Sequence, residues 1–444
     1  MTTTTAPATT RPAPRPFRTE LRRGFAPWAG LAFTLALGWV LVAKSSEWQG
    51  DWSETTDLVR GAGVVVGGSL ALGAGCWQGG RERRRGTGEL RVSAARSPLA
   101  RHAATALPLV VWLLAGYALA AAGALLATWP YAYGDSVLPT ALVGAAGTIA
   151  ACALLGHVVG ATVRWRLAPP LLALAGYGLF GFLQYAPELD LPRLLGPAPG
   201  YAPARELLVW WHPLLTATWY LALAATATLA YAARRRWVAL LPALVALAAA
   251  VTLTATGDSM TRPNPRYHQQ VCDTSTTPQI CVNATYARLL PATTRALRPL
   301  TDKLKGVRNL PTRFEDLPGR PGPGEAALPM ISYGWTVERG RFLDPAHYRW
   351  EAREALGGYD CPSLPEDTVT DDAVMRWLTP VSHQARTDRD SARGDHRQAV
   401  RIKAEKAGAA RLAAMAPAER RAWLSRYFAY FRHCDRTAQE APKL

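Results

Sequence analysis

Seven stretches without a single Asp, Glu, Lys or Arg occupy most of the first 257 positions of this 444-residue chain. They run from Ala26 to Ala43, Gly61 to Gly80, Ala103 to Trp129, Leu138 to Val163, Leu167 to Ala186, Leu207 to Ala233 and Trp237 to Gly257. A hydrocarbon layer of roughly 30 Å is crossed by about 20 residues of helix, so each stretch reads as a transmembrane helix. A backbone in lipid must satisfy its own polar groups, which leaves little choice but helix for such segments. The sequence therefore predicts an α-helical polytopic membrane protein of about seven transmembrane helices. A soluble domain, mixed α/β or mainly helical, follows it.

Charge gives the bundle a direction. About seventeen arginines lie in Arg11 to Arg23, the loop from Gly79 to Ala103, Arg164 with Arg166, and Arg234 to Arg236. The opposite connections carry only Lys44, Arg60, Arg193 and Arg205. Basic loops stay inside, which predicts a cytoplasmic amino terminus and, after an odd number of spans, an extracellular carboxyl-terminal domain. The same distribution accounts for much of the net charge of +17, so no nucleic-acid partner is expected. The leader before the first span is long, and no A-x-A site follows that span before Lys44, so a cleaved signal peptide is not expected.

Ahead of the first span, Met1 to Pro16 has a composition too poor to bury a core and is expected to be disordered. Phe17, Leu21 and Phe25 then recur at helical spacing among Arg18, Glu20, Arg22 and Arg23, the pattern of either an interfacial amphipathic helix or a frayed extension of the first span. Within the spans, Gly63 with Gly67 and Gly156 with Gly160 form GxxxG pairs that permit close helix approach. His157 and His212 are the ionisable side chains left inside the stretches so drawn, and each reads as a hydrogen-bonded structural residue. Without intramembrane carboxylates, ion-coupled transport lacks its usual machinery. Without a lysine in the last span, a retinal Schiff base is excluded.

The loop GGRERRRGTGELRVSAARSPLARHA, residues 79–103, holds seven arginines against two glutamates. Thr87 and Gly88 offer a helix start, Glu89 suits a first turn, and Pro98 closes the segment, which predicts a short helix lying under the membrane. The order of amphipathic helix, two spans, arginine-rich loop and four further spans resembles the permease subunit of type-2 ABC exporters. The wording RRRGTGEL followed by SAARSP is similar to that of permease-like proteins from GC-rich bacteria. The resemblance covers about the first 235 residues. It implies that the loop carries a coupling helix for a cytosolic ATP-binding subunit, with Arg84, Arg85, Thr87, Glu89 and Leu90 as docking residues, and that the permease works as a homo- or hetero-dimer. The chain departs from that family in its seventh span and its large carboxyl-terminal domain. No GxxxxGK[ST] occurs, so the ATPase must be a separate polypeptide.

The domain organisation expected is residues 1–25 as disordered leader and interfacial helix, 26–236 as a six-span permease-like bundle, 237–257 as a seventh span, and 258–444 as an exterior soluble domain. In the last, Tyr286, Leu289, Leu290 and Leu297 suggest a helix bent at Pro291, Gly306 to Gly324 a loop, and PMISYGW a strand. Asp344 and Pro345 read as the N-cap and first residue of a helix, and Leu424, Phe428 and Phe431 as the buried face of a final one. VCDTSTTPQICVNATYARLLP also resembles the outside domain of uncharacterised membrane proteins of this architecture, which brings no activity with it.

Catalytic chemistry has little to work with. His268, His347, His383, His396 and His433 show no HExxH and no metal-ligand spacing, no GxSxG occurs, and Asp371 with Asp372 and Glu366 with Asp367 read as solvated carboxylate pairs. No enzyme activity, metal or cofactor is expected. Cys76 and Cys152 lie in spans; Cys272, Cys281, Cys361 and Cys434 follow the last one and imply two disulfides in an oxidising compartment. Three pairings are open, and the short Thr- and Pro-rich turn favours Cys272 with Cys281, leaving Cys361 with Cys434. Three functions remain: a permease subunit of an ABC export system, a non-transporting sensor or scaffold with an exterior binding domain, and a membrane-anchored exterior hydrolase.

Overall fold

The computed structural model describes residues 16–86, 97–132, 136–185, 195–332, 334–357, 368–380, 384–393, 395–431 and 442–444. They form two compact units. The first comprises residues up to Lys44, Ser53–Ala127 and Val137–Arg262; the second comprises Ser45–Trp52, Thr128–Ser136 and Pro263–Leu444.

Among the described residues, six helical runs are long and apolar enough to cross a membrane: Phe17–Ala43, Trp52–Gly79, Pro98–Tyr131, Pro139–Thr162, His212–Ala232 and Arg236–Thr256. The remaining expected span, Leu167 to Ala186, forms only a shorter apolar helix. In the first unit we label the helices α1 (Pro16–Arg23), α2 (Ala26–Ala43), α3 (Trp52–Gly79), α4 (Pro98–Thr128), α5 (Pro139–Thr162), α6 (Ala168–Tyr185), α7 (His212–Ala232) and α8 (Leu240–Thr256). Proline stands within the first two positions of α2, α5 and α7, where its missing N–H costs no helical hydrogen bond. Trp28, Leu35, Trp39, Leu119, Leu126, Leu244 and Leu247 are exposed on these helices, an apolar surface far larger than a water-soluble unit carries.

Small residues decide how α3 meets α5. A Cβ at Gly156 or Gly160 would collide with the carbonyls of Leu72 and Cys76, and one at Gly75 or Gly79 with those of Ala153 and His157. The expected Gly156–Gly160 pair therefore interlocks with a second GxxxG, Gly75 and Gly79, that hydropathy alone does not single out. Gly63 and Gly67 serve differently: they lie against the Tyr117 and Phe33 rings, inside a π-helical segment, Gly63–Gly68, that interrupts α3.

The second unit is mixed α/β. Strands β1 (Gln270–Asp273), β2 (Gln279–Asn283), β3 (Arg313–Glu315) and β4 (Glu325–Ala327) form one sheet in that order, with β1 antiparallel to β2 and the other pairs parallel. Helices α9 (Leu290–Leu304), α10 (Pro345–Glu354), α11 (Val369–Leu378), α12 (Gln384–Ala392), α13 (His396–Ala414) and α14 (Pro417–Phe431) complete it. Ile280, Val282, Leu297, Leu300, Phe314, Tyr348, Leu356, Tyr427 and Phe428 share one buried core. Asp344 caps α10 by accepting from the Ala346 and His347 amides, and Leu424, Phe428 and Phe431 are buried on α14, as their spacing predicts.

Several local expectations are corrected. The expected helix is in two parts: Tyr286 and Leu289 lie in a 3-10 helix, Ala284–Leu289, that runs directly into α9, where Pro291 stands in the first turn and removes no helical donor. The presumed loop from Gly306 to Gly324 contains β3. The described residues of PMISYGW, all but Tyr333, form no strand: the Ser332 amide donates to the Thr336 hydroxyl and the Thr336 and Val337 amides donate back to the Ser332 carbonyl, closing a turn. Two-residue strands follow at Val337–Glu338 and Arg341–Phe342. A disulfide joins Cys272 and Cys281, directly opposite each other on β1 and β2. Cys361 and Cys434 lie outside the described residues, as do Glu366, Asp367, His383 and His433.

Candidate functional site

The residues of interest in the first unit lie at the two ends of α3. At its carboxyl end the arginine-rich segment turns through a single helical turn, Arg81–Arg84, before the described residues stop at Gly86. Arg81 pairs with Glu20 of α1 at 2.5 Å. Arg83 donates to the carbonyls of Gly160 at 2.5 Å and Val163 at 2.6 Å, satisfying acceptors that the end of α5 leaves without amides. Arg84 folds back, its guanidinium 4.1 Å from the centre of the Trp77 ring and donating to the Trp77 carbonyl. Arg85 is exposed at the end of the turn. Of the expected docking residues, Arg84 is thus engaged within the chain and Arg85 is presented outward, while Thr87, Glu89 and Leu90 lie outside the described residues. The amphipathic helix α1 is also held by the Trp112 indole, which donates to the Leu21 carbonyl at 2.8 Å.

Beside this turn sits a small polar cavity of about 30 Å³, room for about one water. Gln78, Arg101, His102, Thr105, His157 and Tyr231 line it. The His102 and His157 rings meet edge-on with centroids 4.4 Å apart, and His157 Nε2 lies 3.1 Å from the Thr105 hydroxyl. His157 is therefore one of a histidine pair and not the solitary residue its sequence position suggests.

The amino end of α3 corrects a broader expectation. The helix begins at Trp52, not Gly61, so Asp57 and Arg60 belong to it. Arg60 is 3% exposed. Its Nη2 donates to the Asp57 carboxylate at 2.7 Å and to the Pro199 carbonyl at 2.8 Å, and its guanidinium lies 5.3 Å from the centre of the Tyr201 ring. The buried Tyr117 hydroxyl and His212 Nε2 have no hydrogen-bond partner among the described residues. A guanidinium removed from water costs several kcal/mol unless charge and acceptors surround it, and here Asp57, a backbone carbonyl and an aromatic face do so. Such a group can hold an anion or a polarised oxygen. A charge boundary hid it: drawing a span only through uncharged residues ends the helix one position short of Arg60.

In the second unit two of the carboxylates read as solvated, Asp371 and Asp372, are used structurally. Asp371 is buried, completes a capping box with Thr368 and accepts from the Tyr427 hydroxyl at 2.8 Å. Asp372 pairs with Arg401 at 2.5 Å. Arg376 bridges the buried Asp388 and Glu405 at 3.0 and 2.8 Å. Among the described residues, no group of three or more His, Cys, Asp or Glu is placed to hold a metal. No family model, no curated protein and no solved structure matches the chain.

Proposed function

We propose that the chain is the membrane-spanning, permease-like subunit of an ABC export system, driven by a separate cytosolic ATP-binding subunit and acting as a dimer. The observation that carries this reading is the arginine turn after α3. Through Arg81 it grips α1, through Arg83 it grips α5, and it is continuous with α3 itself. A displacement applied at this turn reaches three helices at once, which is what an energy-input element requires. Along α3 the displacement would meet the π-helical segment Gly63–Gly68, and beyond it the buried Arg60. π-Helical segments are places where a helix can change register, and they recur at functional sites. In this reading the arginine turn faces the cytoplasm and the second unit lies outside the cell, as the basic loops favour.

The test replaces Thr87, Glu89 and Leu90 together by alanine. The variant is expected to insert normally and to lose co-purification with a polypeptide that carries a GxxxxGK[ST] phosphate-binding loop. Unchanged co-purification, or no such polypeptide with either protein, sinks the permease reading. The result would favour a non-transporting sensor or scaffold. One observation already leans that way: Arg81, Arg83 and Arg84 are engaged within the chain, leaving Arg85 as the outward-facing arginine of the described turn.

A further inference from the structure

The second unit contains a concave site that neither the permease nor the sensor reading assigns. It has a volume of about 630 Å³, within the range of small-molecule sites. Trp335, Met330, Trp350, Glu351 and Glu354 are its principal walls, with the Ser332 and Thr336 turn at one side. Two of these residues are placed against the ordinary rules of a folded surface. Trp335 is 83% exposed and Met330 74%, although each is a large apolar side chain of a kind that folding normally covers.

The charged side chains that line the pocket, Glu351 and Glu354, are both carboxylates. Glu351 faces the His347 ring, Nε2 to carboxylate 3.3 Å, and His347 in turn stacks on Trp350 with planes 12° apart. Glu354 accepts from Arg353 at 2.9 Å. The Arg353 guanidinium is itself buried, and its other nitrogen donates to the Met375 carbonyl and the Thr379 hydroxyl, away from the pocket. Its carbon lies 5.1 Å from the Trp350 ring centre, so this indole already interacts with one cation. The walls thus present two carboxylates and two indoles. Indole faces attract cations, carboxylates add a net negative field, and Met330 supplies a polarisable apolar surface.

We propose that this pocket binds a small organic cation, an ammonium group carried on an apolar body, with Trp335 and Trp350 against the cation and Glu351 and Glu354 compensating its charge. Trp335 is the recognition residue, since its ring is largely exposed before any ligand arrives. The inference concerns the second unit alone and does not depend on a transport activity.

The test is a calorimetric titration of the full chain in nanodiscs with choline and, in parallel, with its uncharged isostere 3,3-dimethylbutan-1-ol. Choline is expected to bind at least tenfold more tightly than the isostere. Trp335→Ala, at an exposed position that leaves the fold intact, is expected to weaken choline about tenfold with an unchanged melting temperature. Glu351→Gln with Glu354→Gln is expected to remove the preference for choline while the isostere binds as before. Equal affinity for choline and isostere would reduce the site to an apolar pocket and overturn the proposal. Heat from a neutral disaccharide but none from choline would overturn it in favour of carbohydrate. Vesicles containing phosphatidylethanolamine, tested against phosphatidylglycerol alone as competitors of choline, distinguish a lipid-borne ammonium from a free one.

Discussion

The Arg81 guanidinium lies 2.5 Å from the carboxylate of Glu20, a residue on the amphipathic helix at the start of the described chain. Both side chains are about three-quarters covered, which lifts the pair above an ordinary surface contact. A double-mutant cycle with Glu20→Gln and Arg81→Gln is expected to return a coupling of about 1 kcal/mol, falling at high salt. Thermal melts of the four proteins in nanodiscs supply the measurement. A coupling of zero would mean that α1 is held by the Trp112 contact from α4 and not by the loop.

Gly160 and Gly123 should respond oppositely to a side chain. At Gly160 a Cβ runs into the Cys76 carbonyl, whereas at Gly123 there is nothing within 4 Å. Gly160→Val is expected to cost about 1–3 kcal/mol by forcing α3 and α5 apart. Gly123→Ala should be neutral or slightly stabilising, since it adds helix propensity in open space. Apparent melting temperatures in detergent compare them directly; equal losses at both would contradict the interlocked glycines.

The second unit should lose stability as the solution is brought from acid toward neutrality. Burial pushes the Asp316 carboxyl up to about 6, with the neighbouring Glu315 adding to the rise and the Asn283 amide, donating at 3.0 Å, opposing it. A raised acid holds its proton more tightly folded than unfolded. Its contribution is therefore full below about pH 4 and is lost as pH rises through about 6. The change is at most about 3 kcal/mol, because Asp316 is only partly covered. Asp316→Asn should flatten that part of the curve, read from denaturant melts of the full chain at successive pH values. An unaltered slope assigns the dependence elsewhere.

Reporter fusions decide the direction of insertion. Fusions at Gly86 and Arg235 are expected to report cytoplasm, and those at Trp52 and Leu300 the opposite side. A cytoplasmic signal at Leu300 would overturn both the orientation and the placing of the second unit outside.

Non-reduced peptide mapping of protein from its native membrane is expected to recover Cys272 joined to Cys281. Opening that bridge removes about 3 kcal/mol by the loop-entropy estimate for a separation of 9 residues. The same map tests whether Cys361 and Cys434 pair with each other. Free thiols at all four positions would speak against an oxidising compartment.

What the sequence makes legible is chemistry that acts over short separations. Asp344 followed by Pro345 specifies a helix start within a single turn, and Leu424, Phe428 and Phe431 mark a buried face by spacing alone. Cys272 and Cys281 are legible for the same reason, since one tight turn brings them opposite each other. Arg60 is not: its cost of burial is met partly by Asp57 nearby, but also by the Pro199 carbonyl from 139 residues away. The His102–His157 pair is hidden likewise, each ring being unremarkable in its own helix. PMISYGW misleads in the other direction, because β-forming residues make a strand only where a partner edge accepts them, and here Ser332 and Thr336 bond to each other.

The second unit draws on chain from three places, Ser45–Trp52 and Thr128–Ser136 as well as the residues after Arg262. Arg339 donates to Gln49 at 2.5 Å across 290 residues of sequence, and Arg288 donates to the Ala132 carbonyl across 156. During synthesis the two early segments emerge long before the residues that will receive them, and they must wait, tethered at both sides to apolar helices. The carboxyl-terminal part therefore cannot finish folding as an independent passenger. A gene fragment beginning after Gly257 would encode it without two of its own pieces.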